Sequence, residues 1–263
     1  MMEYHSKDML YQTEITNNNN DNNNNSNNIP LVTAVPINDE YTILKPVYSK
    51  FIQNTMLCLF FQIAVTATTC IVSYTYKDEV TKYILTNPSV VDLTLFTYIL
   101  TIMVLICCDI KNTFIRWSLF IGFTLSSALM VSICLFRYSP IIILQATTAT
   151  SISVLTINMY AFVCHTNGYD FSNMNGLIYS CSFSIITIVL ISLFIPYNSV
   201  LQLLFAGLFT VLFTIYLFYD LLILYNKDNE LIFQSPIYAS INIYLDIINL
   251  FLNILKLFAG CEE

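Results

Sequence analysis

The polar residues whose spacing could do chemistry lie in the last apolar stretch of the chain, residues 239–256. Five of them recur at steps of four, three, four and three positions: Asn242, Asp246, Asn249, Asn253 and Lys256. On an α-helix this spacing keeps them on one narrow stripe, here called the polar seam, while Ile, Leu, Tyr and Phe cover the remaining surface. Because a carboxylate that faces lipid is costly, the pattern predicts a membrane helix that turns the seam toward neighbouring helices. A helix lying on the membrane surface would instead carry a broad, charge-rich face.

A second carboxylate lies in the apolar stretch before it. Asp220 occurs in FTIYLFYDLLILYN, beside Tyr219 and one helical turn after Tyr216. We expect Asp220 to lie ~10 Å inside its helix and Asp246 about 13 to 15 Å inside the next one, at roughly 1.5 Å per residue. In an antiparallel hairpin the two carboxylates therefore reach a similar depth and can meet.

Two neighbouring carboxyl groups in a low-dielectric setting do not both ionise easily, because burial and the first charge each disfavour the second charge. Such a pair titrates as a unit and can act as a pH sensor, a proton relay or a cation site. The carboxylate oxygens of Asp220 and Asp246 are hard ligands, and the Asn side chains of the seam add neutral oxygens, so a site for a cation such as Ca²⁺ is one of these alternatives. The structural alternative is that the acids only hydrogen-bond to Asn242, Asn249 or Tyr219 and thereby hold the helices together.

A basic partner for the acids is predicted at the ends of the second and third apolar segments, where Lys111 and Arg116 lie. An ion pair formed while the acids are ionised would lock a hinge, and protonation would release it.

Composition indicates the class of protein that positions these groups. The 263 residues are 56% hydrophobic and only 10% charged, with a mean hydropathy of +0.66. Soluble domains average about 25% charged residues, so the chain is predicted to be an integral membrane protein in contact with the lipid bilayer. The net charge is -7 and no basic cluster is present, which argues against nucleic-acid binding.

Seven apolar windows approach the length needed to cross a bilayer core of about 30 Å. They cover residues 51–73, 91–108, 117–137, 140–164, 177–195, 199–226 and 237–258. The predicted fold is therefore an all-α membrane protein, a seven-transmembrane helix bundle over residues 47–261. Ser139-Pro140 and Ser235-Pro236 each predict a helix start with a serine cap and a proline in the first turn.

The first 46 residues are predicted to be a disordered, Asn-rich tail, because the run 17–28 is almost entirely asparagine and cannot bury apolar surface. Basic residues are slightly more frequent on the side that holds this tail, which predicts a cytosolic N-terminus.

Four segments together resemble a known family. NIYLDIINLFLNILKLFAG resembles the signature of the Bax-inhibitor/Lifeguard family of seven-span membrane proteins. FIQNTMLCLFFQIAVTA is similar to its first helix, with Gln62 and Thr66 in place. MYAFVCHTNGYDFSNMNG is similar to its connection between the fourth and fifth helices, and FTIYLFYDLLIL to its sixth helix. The resemblance covers about residues 47–260.

The resemblance implies that Asp220 and Asp246 are the two functional aspartates of the family. It implies a pH-sensitive calcium leak in an endomembrane (endoplasmic reticulum or Golgi) or the plasma membrane, coupled to suppression of cell death and to membrane-protein partners. Ca²⁺ and H⁺ are the implied transported or sensed species, and no resident cofactor is expected. The basic latch of the family corresponds to Lys111, with Arg116 as the substitute, within KNTFIRWS.

Two other functions remain as alternatives. A non-conducting membrane protein that binds and modulates other channels or apoptosis factors would have the same sequence features. An intramembrane aspartyl protease also uses a Tyr-Asp in one helix and an Asp in the next. Against it, Asp246 follows Asn-Ile-Tyr-Leu rather than a Gly-x-Gly turn, and seven spans are found where nine are needed. The chain is therefore predicted not to be an enzyme.

Overall fold

The computed structural model describes residues 37–107, 112–167, 199–225 and 235–260, and these form helices without any strand. In chain order the helices are α1 (Ile37–Thr75), α2 (Lys77–Thr86), α3 (Ser89–Cys107), α4 (Thr113–Leu135), α5 (Pro140–Thr166), α6 (Ser199–Tyr225) and α7 (Pro236–Gly260). The side-chain contacts discussed below lie within one compact unit, Ile43–Glu263.

Five of these helices are long and apolar enough to cross a membrane. They are Tyr48–Thr75, Thr113–Leu135, Pro140–Thr166, Val200–Tyr225 and Pro236–Gly260, and a sixth span is formed if Lys77–Thr86 and Ser89–Leu105 count as one. Large apolar side chains remain exposed along α1, α3, α4, α5 and α6, as expected for surfaces that face lipid. The prediction of an all-helical, multi-pass membrane protein is confirmed. The predicted window 177–195 lies outside the described residues.

The N-terminal half of the bundle differs from the sequence prediction in two places. Backbone helix begins at Ile37, ahead of the predicted end of the tail at residue 46, and the Asn-rich run lies outside the described residues. Residues 77–86, expected to be a connection, form the short helix α2, which contains no buried residue. This helix is bent by 94° against α3, and Asn87 and Pro88 separate the two. Since proline disfavours helical geometry in the residue before it, the break at this point is expected.

The predicted helix starts agree with the structure because their signals are local. α5 begins at Pro140, and the hydroxyl of Ser139 accepts a hydrogen bond from the Ile142 amide at 3.4 Å. α7 begins at Pro236, where the Tyr238 amide donates to the carbonyl of Ser235 at 3.0 Å. At α5 the bond is the predicted serine cap. At α7 the predicted start is confirmed, and the bond is made by the backbone carbonyl of Ser235 rather than by a serine side chain.

α1 and α4 lie side by side and run in the same direction. Contacts occur in order along both helices and just beyond the end of α4. The Phe61 and Phe120 rings stack with centroids 6.2 Å apart, and Ser132 Oγ donates to Cys70 Sγ at 3.4 Å. The Tyr74 hydroxyl donates to the carbonyl of Tyr138, three residues after α4, at 3.3 Å. Since the residue numbers rise together along both helices, α1 and α4 are parallel.

α7 lies at the centre of the bundle. It packs against α6 and α5, and its Tyr244 reaches both α1 and α4. Ser240, Tyr244, Leu250 and Leu255 of this helix have no exposed surface (0%). A polar group on α7 is therefore held among four neighbouring helices.

Candidate functional site

The surroundings of two glycines show how α6 and α7 are aligned. A Cβ atom at Gly207 would lie 3.9 Å from Leu257 Cδ2, and one at Gly260 would lie 2.8 Å from Leu203 Cδ1. The second distance is too short for any side chain unless Leu203 moves, so glycine permits the close approach of the helices at this end. The pairs 207 with 257 and 203 with 260 also show that the two helices are antiparallel.

This register brings the two predicted carboxylates together. Gly207 of α6 lies opposite Leu257 of α7. The step from Gly207 to Asp220 therefore corresponds to a step of the same length back along α7, which ends at Tyr244. Tyr244 lies within one turn of Asp246. Consistent with this, Asp220 and Asp246 lie near enough for the charge of one to act on the other. The helix pair α6–α7 thus places both acids at one level of the bundle.

The surroundings of the pair are apolar. Both carboxyl groups are partly buried, and Leu217 and Leu221, which flank Asp220 on α6, are 0% and 2% exposed. Oδ2 of Asp246 is buried and accepts no hydrogen bond within the described part of the chain. A carboxylate oxygen that is removed from water and has no donor favours the neutral form or a bound cation.

The polar seam of α7 does not follow the most buried side of its helix. Asn242 and Lys256, near its two ends, are exposed, whereas Asp246 and Asn249 are partly buried and Asn253 is buried. Nδ2 of Asn253 donates to the backbone carbonyl of Asn249 at 2.8 Å. The seam therefore lies on the flank of α7, and its middle is the part that can serve the acid pair.

The remaining predicted residues lie on α6 and α4. Tyr216 and Tyr219 are partly buried on α6, and the Tyr216 ring lies 6.4 Å from that of Phe213. Arg116 is partly buried in the first turn of α4. Lys111 lies outside the described residues, so the basic latch stays a prediction.

Sequence reasoning missed the hydroxyl cluster at the centre of the bundle. The Tyr244 hydroxyl lies 2.7 Å from Thr66 Oγ1 of α1 and 3.0 Å from Ser127 Oγ of α4. The Tyr244 ring also meets Phe123 edge-on, with centroids 6.0 Å apart. The sequence offered one signal for this cluster: Tyr244 lies within the apolar surface of a membrane helix, two residues before Asp246.

A second tyrosine cluster joins the ends of α5 and α6 to α1. The Tyr225 hydroxyl donates to Oδ1 of Asn158 at 2.8 Å, and the Tyr225 ring stacks on His165 at 6.4 Å. The Tyr48 hydroxyl of α1 donates to the backbone carbonyls of Leu224 and Tyr225. These carbonyls belong to the last two described residues of α6, so Tyr48 binds the end of the helix that carries Asp220.

The described residues contain no group of three or more His, Cys, Asp or Glu side chains that could hold a metal ion. The acid pair is therefore a site of two carboxylates, with the amide oxygen of Asn249 on the same stripe of α7. Such a pair can exchange a proton, or bind a passing divalent cation through its oxygens.

These features define a multi-pass helical membrane protein with a pair of carboxyl groups inside its bundle. The family described as "Inhibitor of apoptosis-promoting Bax1" (Bax1-I) matches residues 48–263, and the chain belongs to this family.

Several plant proteins are similar to this chain. Protein LIFEGUARD 1 of Arabidopsis thaliana is 30% identical over 138 residues, which cover 52% of this chain and 57% of the plant protein. Protein LIFEGUARD 4 and Protein LIFEGUARD 3 of the same plant are 29% and 30% identical over 53% and 54% of this chain, and over 56% of each plant protein. The chain thus spans a little over half the length of the curated relatives it matches.

Proposed function

We propose that this protein is a pH-sensitive calcium leak that regulates calcium across the membrane in which it resides. The observation that carries the proposal is the placement of Asp220 and Asp246 at one level of the antiparallel pair α6–α7. Two carboxylates in apolar surroundings respond to pH by sharing or losing a proton, and their oxygens suit Ca²⁺ as the transported substrate.

The pair acts as the switch of this leak. When both acids are ionised they repel each other, and a basic side chain (Arg116 or Lys111) offsets part of this repulsion by forming an ion pair that holds the bundle closed. Protonation removes the charge that holds this ion pair, so the pathway opens as the pH falls. Asn249 and Asn253 supply neutral oxygens along the same stripe of α7.

The topology that we propose has seven spans and a cytosolic N-terminus, in an endomembrane such as that of the endoplasmic reticulum or Golgi. The seven apolar windows and the slight excess of basic residues on the N-terminal side support it. The tail contains a glycosylation acceptor at Asn24-Asn25-Ser26. Glycosylation of Asn24 in cells would show that the tail faces the lumen or the outside and would contradict the orientation.

Suppression of cell death is the physiological role that the family description supports. A leak acts on cell death by lowering the calcium content of a store. The partners of this protein are then membrane proteins that control cell death. In the alternative function, the protein does not conduct Ca²⁺ itself but binds such partners and modulates them.

Calcium efflux from proteoliposomes that hold the purified protein tests the proposal. We expect efflux that rises as the pH falls from about pH 8 to about pH 6, because protonation of the pair opens the pathway. Asp220→Asn and Asp246→Asn imitate the protonated state, so each variant should lose this pH response. Asp92→Asn is the matched control, since it removes one exposed carboxyl from the first turn of α3.

Two results would decide against the leak. Absence of efflux from folded protein would favour the non-conducting partner protein. An unchanged pH response in both variants would exclude the pair as the switch even if efflux occurs.

A further inference from the structure

One amide side chain inside the bundle has no visible partner. Gln62 of α1 is fully buried (0% exposed), and neither its Nε2 nor its Oε1 makes a hydrogen bond within the described part of the chain. Other buried polar residues nearby are satisfied by their own helices: Thr55 donates to the Phe51 carbonyl at 2.9 Å, and Thr124 to that of Phe120 at 2.8 Å. Gln62 is therefore an exception that requires an explanation.

Gln62 lies where α1, α4 and α7 meet. The ring contact of Phe61 with Phe120 lies beside it, and the hydroxyl cluster of Thr66, Tyr244 and Ser127 lies one turn further along α1. The Thr66 hydroxyl also bonds to the backbone carbonyl of Gln62 at 2.8 Å. The backbone of Gln62 is thus bonded to the hydroxyl cluster, and its side-chain amide lies one helical turn from that cluster on the same face of α1.

An unsatisfied amide in a membrane bundle is costly, because neither lipid nor apolar side chains can replace its hydrogen bonds to water. The two orphaned atoms also indicate what binds there. Nε2 requires an acceptor and Oε1 requires a donor, and water is both, whereas a cation would satisfy only the oxygen.

We propose that Gln62 binds water at the junction of α1, α4 and α7, and that this water is continuous with the hydroxyl cluster of Thr66, Tyr244 and Ser127. Buried waters typically make about three hydrogen bonds to polar groups that lack other partners. The amide supplies a donor and an acceptor. The Thr66 and Ser127 hydroxyls donate to the backbone carbonyls of Gln62 and Thr124, and the single Tyr244 hydrogen can be donated to either of the two oxygens.

This water site is separate from the acid pair. Tyr244 and Asp246 are two positions apart on α7, so their side chains leave the helix on different sides. The inference therefore does not depend on the proposed calcium leak. It assigns the centre of the bundle a second polar site, on the side of α7 that faces α1 and α4.

Hydroxyl-radical labelling by X-ray radiolysis tests the site directly in the purified full-length protein. Radicals generated from bound water label adjacent side chains even when bulk solvent does not reach them. We expect labelling of Tyr244, which is 0% exposed, in the wild type and a several-fold loss in Gln62→Met. Gln53→Met is the matched control on the same helix, since Gln53 is exposed, and should leave the labelling unchanged.

Thermal unfolding of the same variants provides the second measurement. If water satisfies the amide, Gln62→Met removes bonding partners of that water and lowers Tm relative to Gln53→Met. If the amide is dry, the same change removes an unsatisfied polar group, and Tm rises or stays the same. An unlabelled Tyr244 in the wild type, or a Tm of Gln62→Met at or above that of the control, would overturn the proposal. A Tm that is higher in sodium or potassium than in choline, for the wild type but not for Gln62→Met, would also overturn the proposal. It would show that the site binds a cation.

Discussion

The hydroxyl oxygens of Thr66 and Tyr244 lie 2.7 Å apart, although 178 residues separate them in the chain. The same Tyr244 oxygen lies 3.0 Å from that of Ser127, so one phenol group joins the first, fourth and last described helices. Helices in a membrane gain little from burying apolar surface against each other, because lipid is equally apolar. Interhelical hydrogen bonds of this kind therefore determine which faces of α1, α4 and α7 meet.

Tyr244→Phe is expected to lower the free energy of unfolding by about 1 to 2 kcal/mol, since it removes both bonds and leaves two buried hydroxyls with one partner fewer. Thermal or denaturant unfolding in detergent would measure the change. Tyr83→Phe is the matched control, because Tyr83 is exposed on α2. Equal stability of the two variants would contradict a structural role for the Tyr244 hydroxyl.

The bond between Tyr225 and Asn158 should be separable by a double-mutant cycle. Tyr225→Phe keeps the ring that stacks on His165 and meets Phe162 edge-on, but it removes the donor to Asn158 Oδ1. We expect a coupling energy of about 0.6 kcal/mol between Tyr225→Phe and Asn158→Leu, the average for interhelical bonds in a membrane. Strictly additive effects on unfolding would show that the two side chains do not interact in solution.

Two helix starts and the common level of Asp220 and Asp246 could be predicted from sequence because their signals are local or periodic. Pro140 and Pro236 mark helix starts directly, and a depth count along each helix was enough to bring Asp220 and Asp246 to one level. By contrast, the partners of Tyr244 lie on helices that are distant in sequence, and no local pattern identifies them. The periodicity of apolar residues is also less informative in a membrane protein, because buried and lipid-facing sides are both apolar.

The polar seam illustrates the same limit. Its spacing correctly identified one stripe of α7, but it could not tell that Asn242 and Lys256 are exposed whereas Asn253 is buried. The helix α2 escaped prediction for a different reason: its ten residues are too short and too polar for an apolar window, and none of them is buried.

The two halves of the seam should respond differently to truncation. Asn253→Ala removes a bond of 2.8 Å to the Asn249 carbonyl and leaves space in a buried position, so we expect a loss of about 1 to 2 kcal/mol in unfolding free energy. Asn242→Ala should change stability by less than about 0.5 kcal/mol, as is usual for exposed positions. Unfolding curves of the two variants would compare them directly. A larger loss for Asn242→Ala would indicate that a partner covers this end of the seam.

The acid pair should make the protein less stable as the pH rises. Oδ2 of Asp246 is buried without a hydrogen-bond donor among the described residues, and Asp220 lies near enough for the charges of the two acids to interact. Ionisation of both acids therefore disfavours the folded state. Asp246→Asn keeps the shape and removes the charge. We expect it to raise the unfolding free energy by about 1 to 3 kcal/mol at about pH 8, where the wild-type pair is most ionised. The difference should shrink as the pH falls, because protonation neutralises the wild-type pair, and Asp92→Asn at an exposed position should show no such trend. Thermal unfolding from about pH 5 to about pH 8 would measure both curves, and a gain that stays constant across this range would show that charge repulsion is not its cause.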